Sequence, residues 1–331
     1  MHMNCGFLLK LQPENGMDQK KKQIAVIGGG VSGIVSAYLL QNGHKITIFE
    51  NNKYLGGHTN TRVVANGPDA GTPIDTGFIV HNDRTYPNFT KFIARLGMTA
   101  VDSDMSFAVF DRARDFFWSS DFPNGLFAQR KNIASVAFWR ILMDMSAFNR
   151  RAKADMGRGA LSGVSLGEYC ARYGYSDYFM HYYLVPMVSA IWSSPEQKTL
   201  EFPCDTLFRF CADHGLLDFT GRPRWKTLPG GNRSYVEKFL KTFSGKIRLQ
   251  TPVKRIVREA GGVTVTLLGG ETLRFDAAVI ATHADQALQI LADPDEMEKK
   301  LLGAWRYSKN QALLHTDSRG LPPVRRGWAS W

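Results

Sequence analysis

The sequence of 331 residues has few cysteines and no long apolar run, and both shortages exclude classes of protein. Its cysteines, Cys5, Cys170, Cys204 and Cys211, form no C-x-x-C pair and no spacing with histidine that suits a metal. No segment reaches the roughly 18 uninterrupted apolar residues of a membrane span. We therefore expect a reduced, cytoplasmic protein without a disulfide framework, a bound metal or a transmembrane helix.

Acidic residues are also in deficit, with 30 against 41 lysines and arginines, which leaves a net charge of +11. Much of the basic excess lies between Arg112 and Arg158. Such an excess suits an acidic partner, a membrane surface or a solvated face. Because no recognition motif accompanies the basic residues, nucleic-acid binding has no support.

The first 22 residues predict a flexible leader. Their apolar part is very short, and charged residues follow it where a signal peptide would have a small-residue cleavage site. Translation from Met17 is an equally good start, because the next segment is a compact beginning for a domain.

The segment QIAVIGGGVSGIVSAYLLQNGHKITIFE predicts a strand, a glycine turn, a helix and a second strand. Gly28, Gly30 and Gly33 let the backbone approach a pyrophosphate, and the helix that begins at Val31 and Ser32 points its positive end at that group. Glu50 follows about twenty residues later, where a carboxylate accepts ribose hydroxyls. A tight turn in an unrelated fold is the alternative, but the combination favours dinucleotide binding.

A second glycine pair, in YLGGHTNTR, follows soon after Glu50. The fingerprint alone does not separate FAD from NAD, although the lack of an arginine after Glu50 argues against a 2′-phosphate. Gly56 and Gly57, with the polar His58 and Thr59, resemble the extension found in glutathione-reductase-like flavoproteins. This resemblance implies that the loop lies against the FAD diphosphate, and an ordinary β-turn is the alternative reading. His58 departs from the arginine usual in those families.

Further segments carry the same resemblance. TPIDTGFIV predicts a strand, and in flavin amine oxidases a similar strand runs under the flavin ring, which implies that Gly77 and Phe78 lie near the flavin. PVKRI and IATH resemble the strands that contact the adenine and rejoin the parallel sheet. The resemblance therefore adds Val253, Ala281 and Thr282 to the expected cofactor-binding residues.

Together with PGGNRSY and RYSKNQALLHTD, these motifs resemble the flavin amine oxidase and phytoene desaturase superfamily. Within it, they are most similar to predicted NAD/FAD-binding oxidoreductases that often neighbour cyclopropane fatty acid synthases. The resemblance covers about residues 23–331. The family continues past Trp331 with a last flavin segment, so we expect a fragment or a truncated product, and a non-catalytic nucleotide-binding remnant is the alternative function.

The fold implied is α/β, with a glutathione-reductase-like, FAD-binding Rossmann domain interleaved with an α+β substrate domain. The expected boundaries are a leader at 1–22, the FAD-binding domain at 23–80 and 226–282 with a β-meander, a mainly helical substrate domain at 81–225, and an incomplete second substrate part at 283–331.

The region from residue 86 to about 205 predicts mostly helix. QRKNIASVAFWRILMDMSAFNRRAKADMGRG combines a wide apolar face with basic flanks, so it is either a helix in a lipid headgroup region or a buried helix with solvated ends. YLVPMVSAIWSSP either lines a substrate pocket or forms a core helix. His181 reads as a satisfied histidine more than as a catalytic base.

The expected activity is an FAD-dependent, two-electron oxidation or desaturation of an amine or acyl-lipid substrate, with possible peripheral membrane contact and an undetermined oligomeric state. Lys309 matches the segment where amine oxidases place a lysine near the flavin, although Asn310 or Gln311 aligns equally well and an exposed strand lysine is the plain alternative. His315 and Asp317 have similar standing. The aromatic side chains of Tyr182, Tyr183 and Trp192 would suit an amine but equally a core.

Overall fold

A computed structural model describes residues 21–307, 309 and 311–331. The predicted leader, apart from Lys21 and Lys22, and Asn310 lie outside these residues. The chain divides into two compact units. Of the described residues, the first unit contains 21–57 and 240–306, and the second contains 58–239, 307, 309 and 311–331. The functional domain boundaries given above stay predictions.

The strands are β1 (Gln23–Ile27), β2 (Lys45–Phe49), β3 (Thr61–Val63), β4 (Pro73–Asp75), β5 (Val101–Asp102), β6 (Ala108–Asp111), β7 (Phe116–Ser119), β8 (Lys226–Thr227), β9 (Lys246–Arg248), β10 (Val253–Glu259), β11 (Gly262–Leu267), β12 (Thr272–Phe275) and β13 (Ala277–Ile280). The α-helices are α1 (Val31–Leu40), α2 (Pro87–Arg95), α3 (Val136–Arg158), α4 (Leu166–Tyr173), α5 (Asp177–Phe179), α6 (Val185–Trp192), α7 (Glu196–Thr199), α8 (Cys204–Asp213), α9 (Arg233–Thr242), α10 (Ala284–Ile290) and α11 (Glu296–Gly303). A π-helical turn, Met180–Leu184, joins α5 to α6.

The first unit is built on a parallel sheet with the strand order β13-β1-β2-β9. β1 lies inside it, with Ile24 paired to Ile46 on one side and to Ala277 on the other. Four of its five residues are buried, because a strand covered on both faces is apolar throughout. The predicted strand, turn, helix and strand from residue 23 to residue 50 are therefore confirmed.

The antiparallel meander β10-β11-β12 also belongs to the first unit. Its two turns contain Gly261 and Gly270, whose φ angles are +80° and +89°. Its buried side chains pack with those of the parallel sheet, and Phe275 meets Phe49 edge to face at 5.8 Å. The meander thus covers part of the sheet that carries the glycine turn.

In the second unit, helices α3, α4, α6 and α8 surround a large aromatic core that includes Trp118, Phe148 and Phe208. The expectation of mostly helix from residue 86 onward is wrong for residues 101–119, which form strand β5 and the hairpin β6–β7. Phe and Trp side chains dominate β7, and such residues favour strands. Four residues between Asp111 and Phe116 close the hairpin, with Asp115 at a φ of +46°.

The segment TPIDTGFIV is also shorter as a strand than expected, because only Pro73–Asp75 joins a ladder. The carbonyl groups of Phe78 and Ile79 accept hydrogen bonds from the side chain of Asn232 instead. Because the side chain of Asn232 satisfies these two carbonyls, they do not pair with a neighbouring strand.

α3 is the helix whose position the sequence left open. Ser135 caps it by accepting a hydrogen bond from the amide of Phe138, and one face buries Phe138 and Phe148 in the core. Val136, Trp139 and Met143 lie on another face and are 83%, 44% and 58% exposed. The helix therefore packs as a core helix and also presents an apolar stripe to solvent. No described helix is both long and apolar enough to span a membrane.

Candidate functional site

Backbone packing in the first unit requires glycine at two positions of the first glycine turn, Gly28 and Gly33. Gly28 has a φ of +100°, and a Cβ on it would lie 2.6 Å from the carbonyl oxygen of Ala281. A Cβ on Gly33 would lie 1.9 Å from the carbonyl oxygen of Gly28. Backbone packing between β1, α1 and the end of β13 therefore leaves no room for a side chain at either position.

Gly30 differs, because packing does not require glycine there. Its φ and ψ of −73° and −177° suit any residue, and a Cβ would meet just one described atom within 4 Å, the Cα of Gly57 at 4.0 Å. Gly30 is the N-cap of α1 and makes no side-chain cap, and Val31 and Ser32 after it are exposed. The positive end of α1 thus has open space in front of it, which suits a phosphate.

The second glycine pair packs on this turn. The amide of Gly56 donates to the carbonyl of Gly29 at 2.8 Å, and Gly56 bridges Gly30 as a parallel strand residue would. Gly57 has a φ of +58°, and a Cβ on it would lie 3.0 Å from the Cα of Gly30. Both glycine segments therefore present bare backbone at one place in the first unit.

Glu50 is held beside the turn by three donors. It is 6% exposed, and its Oε2 accepts from the amide of Gly29 at 2.7 Å. Its Oε1 accepts from the amide and the Nδ2 of Asn52 at 2.7 and 3.0 Å. An ionised carboxylate has about four lone-pair sites, so one remains for a ribose hydroxyl. The position suits the role predicted for Glu50.

The other predicted cofactor residues of the first unit lie on β10 and after β13. Ala281 donates its amide to the carbonyl of Ile27 at 2.8 Å, and Thr282 follows it beside Gly28. Val253 begins β10, half-buried. Its contact with an adenine stays a prediction.

His58, Thr59, Gly77 and Phe78 lie together in the second unit. The amide of Phe78 donates to the carbonyl of His58 at 3.0 Å, and a Cβ on Gly77 would lie 2.1 Å from the same oxygen. The buried hydroxyl of Thr59 lies 2.8 Å from that of Tyr235. The side chain of His58 is exposed.

The fully buried Asn232, which follows the predicted Pro-Gly-Gly segment, fixes this region. Its backbone N–H and its side-chain Nδ2 both donate to the carboxylate of Asp75, at 2.9 to 3.1 Å. The same Nδ2 donates to the carbonyls of Ile79 at 2.7 Å and Phe78 at 3.1 Å. Sequence reasoning missed Asn232, which connects Asp75 to the wall of a cavity.

That cavity has a volume of about 700 Å³ and lies within the second unit. Its wall includes Gly77 and Phe78 together with aliphatic and aromatic side chains from the hairpin β6–β7 and from helices α3, α6 and α8. Examples are Trp118, Leu142, Met187 and Phe210. The volume falls in the roughly 300–1,000 Å³ range of small-molecule pockets, and the lining is mainly apolar as in those pockets.

Few polar groups line the cavity, and the described lining contains no Asp, Glu or Lys. The hydroxyl of Ser106 donates to Asp104, and that of Ser120 accepts from the amide of Phe107. Burial raises the pKa values of Tyr86 and Tyr183 above that of an ordinary tyrosine, so both stay protonated. Arg222 is the cation of the lining.

His214 also lines the cavity, and sequence reasoning missed it. It caps the C-terminus of α8, and its Nδ1 lies 2.9 Å from the carbonyl oxygen of Phe210. Its ring stacks on Phe210 at 3.9 Å and on Trp225 at 5.9 Å, with Tyr86 edge-on at 6.2 Å. The signal available was FCADHG, in which histidine precedes a glycine just after a helical pattern.

The residues predicted for catalysis do not line this cavity. Lys309 is exposed and lies outside helices and strands, so its role stays a prediction. His315 and Asp317 are exposed as well, and Asp317 pairs with Arg319. His181 is exposed, with its Nε2 4.0 Å from Asp111.

Of the aromatic residues suggested for an amine, Tyr183 lines the cavity. Tyr182 donates its hydroxyl to Asp111, and Trp192 packs between Phe202 and Phe210. The segment YLVPMVSAIWSSP thus serves both as a core helix and, through Tyr183, Met187 and Ile191, as a cavity wall. Among the described residues, no group of three or more His, Cys, Asp or Glu side chains is arranged to hold a metal.

A sequence model of the flavin containing amine oxidoreductase family matches residues 31–317. The chain belongs to this family. Polyamine oxidase 2 of Arabidopsis thaliana is 26% identical over 93% of this chain and 61% of its own length. Cyclohexylamine oxidase from Brevibacterium oxydans has a TM-score of 0.62 at 20% identity, and a CLA-producing fatty acid isomerase from P. acnes has 0.55 at 16%. These alignments cover 86% and 85% of this chain and 63% of each structure.

The likeness to these structures confirms the predicted α/β flavoprotein fold, and the chain spans about six-tenths of the length of the relatives it matches. FAD is the cofactor of the family. The residues of the first unit fit it, since the bare backbone at Gly30 and Gly57 suits a diphosphate and the fixed carboxylate of Glu50 suits a ribose.

Proposed function

We propose that the protein is an FAD-dependent oxidoreductase that oxidises or desaturates an acyl-lipid chain held in the apolar cavity of the second unit. The observation that carries this proposal is the lining, which offers about 700 Å³ of mainly apolar space without a carboxylate among the described residues. An acyl chain gains free energy from such burial, at about 0.8 kcal/mol for each methylene.

The charges of the lining bear on the substrate class. An aliphatic amine is protonated near neutral pH, as lysine is with a pKa of about 10.4. Burying such a cation without a partner costs several kcal/mol, and Arg222 adds repulsion. An uncharged chain with a neutral or anionic polar end meets neither penalty. The cavity therefore favours an acyl lipid over an amine.

The residues of the chain then have separate tasks. The glycine turn and Glu50 hold the dinucleotide, and the cavity wall positions the chain and keeps water from it. FAD, when bound, supplies the acceptor for two electrons. The hydrogen bonds of Asn232 fix Phe78 and Ile79, so this part of the wall is rigid.

Anaerobic reduction of the FAD-loaded chain tests the substrate class. Phospholipids with saturated, unsaturated or cyclopropane chains should bleach the flavin absorbance, whereas alkylamines of matched length should not. Ala190→Phe, which fills the cavity from α6, should slow bleaching by lipid without changing reduction by dithionite. Ala154→Phe, at an exposed position of α3, is the matched control.

Amine oxidation is the second candidate, favoured by the name of the plant relative. Rapid bleaching by alkylamines with no reaction of lipids would establish it and refute the acyl proposal. A chain that stays colourless with added FAD would instead favour the nucleotide-binding remnant.

We also propose that α3 contacts an anionic membrane surface. Its exposed stripe contains Val136, Trp139 and Met143, and the basic Arg140 and Arg150 flank it. A basic residue near an anionic bilayer contributes about 1 kcal/mol. Arg150→Glu removes this attraction and adds a repulsion of similar size, about 2 kcal/mol in all, so it should weaken binding to phosphatidylglycerol vesicles by about 30-fold.

Arg150 is a better target than Arg151, because the guanidinium of Arg151 lies 4.9 Å from the ring of Tyr173 and is part of the packing. Arg95→Glu, on the exposed side of α2, is the matched charge control. Equal vesicle binding by both variants and the wild type would refute the contact.

A further inference from the structure

We propose that His214 accepts the proton that leaves the substrate during oxidation in the cavity. The inference rests on the proposed function and assigns a residue to it. The histidine is the one side chain of the described lining whose neutral form has a basic nitrogen lone pair, because the others are apolar, hydroxyl, phenol, indole or guanidinium groups.

The hydrogen bond at Nδ1 fixes the tautomer of His214. Its partner is the carbonyl oxygen of Phe210, which only accepts, so Nδ1 carries the hydrogen in the neutral ring. Nε2 then holds a lone pair. No described residue forms a hydrogen bond with Nε2, and the ring lines the cavity, so this lone pair is available to a ligand.

The surroundings hold the ring in one orientation. The rings of Phe210 and Trp225 stack with the imidazole ring of His214 at interplanar angles of 21° and 19°. The ring of Tyr86 packs edge-on against it. His214 is also the C-cap residue of α8, so the backbone that carries the ring is fixed at the end of that helix. A general base must first hold its accepting nitrogen in a fixed position toward the proton that it takes.

Charged and titratable groups near the ring come from each adjoining segment. They are Arg84, which donates to the carbonyl of Ala212, Tyr86 at the start of α2, Asp213 at the end of α8, and Arg222. The backbone of Arg222 returns beside Gly215, the residue after the histidine, since a Cβ on Gly215 would lie 3.3 Å from the Arg222 Cα. Arg222 and His214 both line the cavity.

In a desaturation, bound FAD would accept two electrons with the hydride that leaves one carbon. The C–H bond of the adjacent carbon would break, and its electron pair would become the new π bond. The proton of that second bond goes to Nε2 and later to water. The same residue would take the proton of an O–H or N–H group if the substrate were an alcohol or a neutral amine.

Histidine NMR of the full FAD-loaded chain, labelled with ¹⁵N, gives a readout that needs no turnover. The signals of His214 are those missing in His214→Asn, whose amide still donates to the Phe210 carbonyl but lacks the Nε2 acceptor. We expect the Nδ1–H tautomer, and we expect dodecan-1-ol to shift the Nε2 resonance. An Nε2–H tautomer, or a bound alcohol that leaves Nε2 unmoved, would overturn the proposal.

Flavin reduction under anaerobic conditions gives the second readout, with whichever substrate bleaches the flavin. The rate in His214→Asn should be lower than in the wild type by about 100-fold or more. His181→Asn, at an exposed histidine of the same unit, should keep the wild-type rate. A wild-type rate in His214→Asn would refute the role.

The two readouts distinguish the failure of this inference from the failure of the proposed function. If no lipid or amine bleaches the flavin, the proposed function fails, and the tautomer and the alcohol titration still decide whether Nε2 faces a ligand. If lipids bleach it equally well in His214→Asn, the function stands and the histidine has no part in it.

Discussion

Substitution of the fingerprint glycines should separate folding from cofactor binding. An alanine at Gly33 places a Cβ 1.9 Å from the carbonyl oxygen of Gly28 and 3.3 Å from Val26. Neither backbone can move without disturbing the sheet, so we expect a loss of about 3 kcal/mol or more in the free energy of unfolding. Gly33→Ala should therefore fail through the fold.

At Gly30 the same methyl group meets ordinary van der Waals contact at 4.0 Å, and the backbone angles suit alanine. The poorer helix cap costs about 0.5–1 kcal/mol. The methyl nevertheless fills the space before the N-terminus of α1, where a phosphate would approach the amide groups. We expect FAD affinity to fall by at least about 100-fold, or about 2.7 kcal/mol.

Urea unfolding of the FAD-free chain, followed by circular dichroism, measures the first effect, and quenching of flavin fluorescence on titration measures the second. Gly43→Ala is the control, because Gly43 is an exposed glycine of the same unit with no atom near its Cβ position. Wild-type FAD affinity in Gly30→Ala would refute the reasoning, as would unfolding as severe as that of Gly33→Ala.

Two further substitutions test the second unit. His81 is fully buried, and neither of its ring nitrogens is hydrogen-bonded. Desolvation lowers its pKa in the folded chain from 6.5, so the unfolded chain binds the proton first as the pH falls. The free energy of unfolding therefore decreases as the pH drops below about 6.5. His81→Leu should reduce this fall in urea unfolding at pH 5 relative to pH 8, and an unchanged slope would contradict the assignment. Asn232→Ala removes the Nδ2 that donates to Asp75, Phe78 and Ile79, while the backbone amide still donates to Asp75 and the Thr227 hydroxyl still donates to Ile79. The loss should be about 1–3 kcal/mol, since the Phe78 carbonyl loses this donor, whereas Asn66→Ala at an exposed position should cost little. A loss below about 1 kcal/mol for Asn232→Ala would show that water replaces these bonds.

Local signals predicted the nucleotide-binding unit well. Its strand, turn and helix are adjacent in sequence, and the spacing to Glu50 is short, so periodicity and glycine positions suffice. The hairpin β6–β7 was missed because a run of aromatic residues suits a buried helix as well as a strand. Packing in the second unit decided between them.

The cavity was beyond sequence reasoning for a different reason. Its wall combines residues as far apart as Phe78, Met187 and Trp331, and no local pattern shows that distant apolar side chains leave a space between them. His214 was overlooked because a histidine at a helix end is common. Its hydrogen bond to the Phe210 carbonyl and its position in the wall are visible only in the folded second unit.

The order of the strands also has a consequence for synthesis. β1 pairs with β13, so Ile24 meets Ala277 only after some 250 further residues have been made. At about 5–20 residues per second, the edge of β1 that pairs with β13 waits roughly 12–50 seconds on the ribosome for its partner, although β2 is made soon after β1. Residues 58–239 are made before then. One edge of an apolar strand therefore stays unpaired until β13 is made, which makes the nascent chain a candidate for chaperone binding at β1.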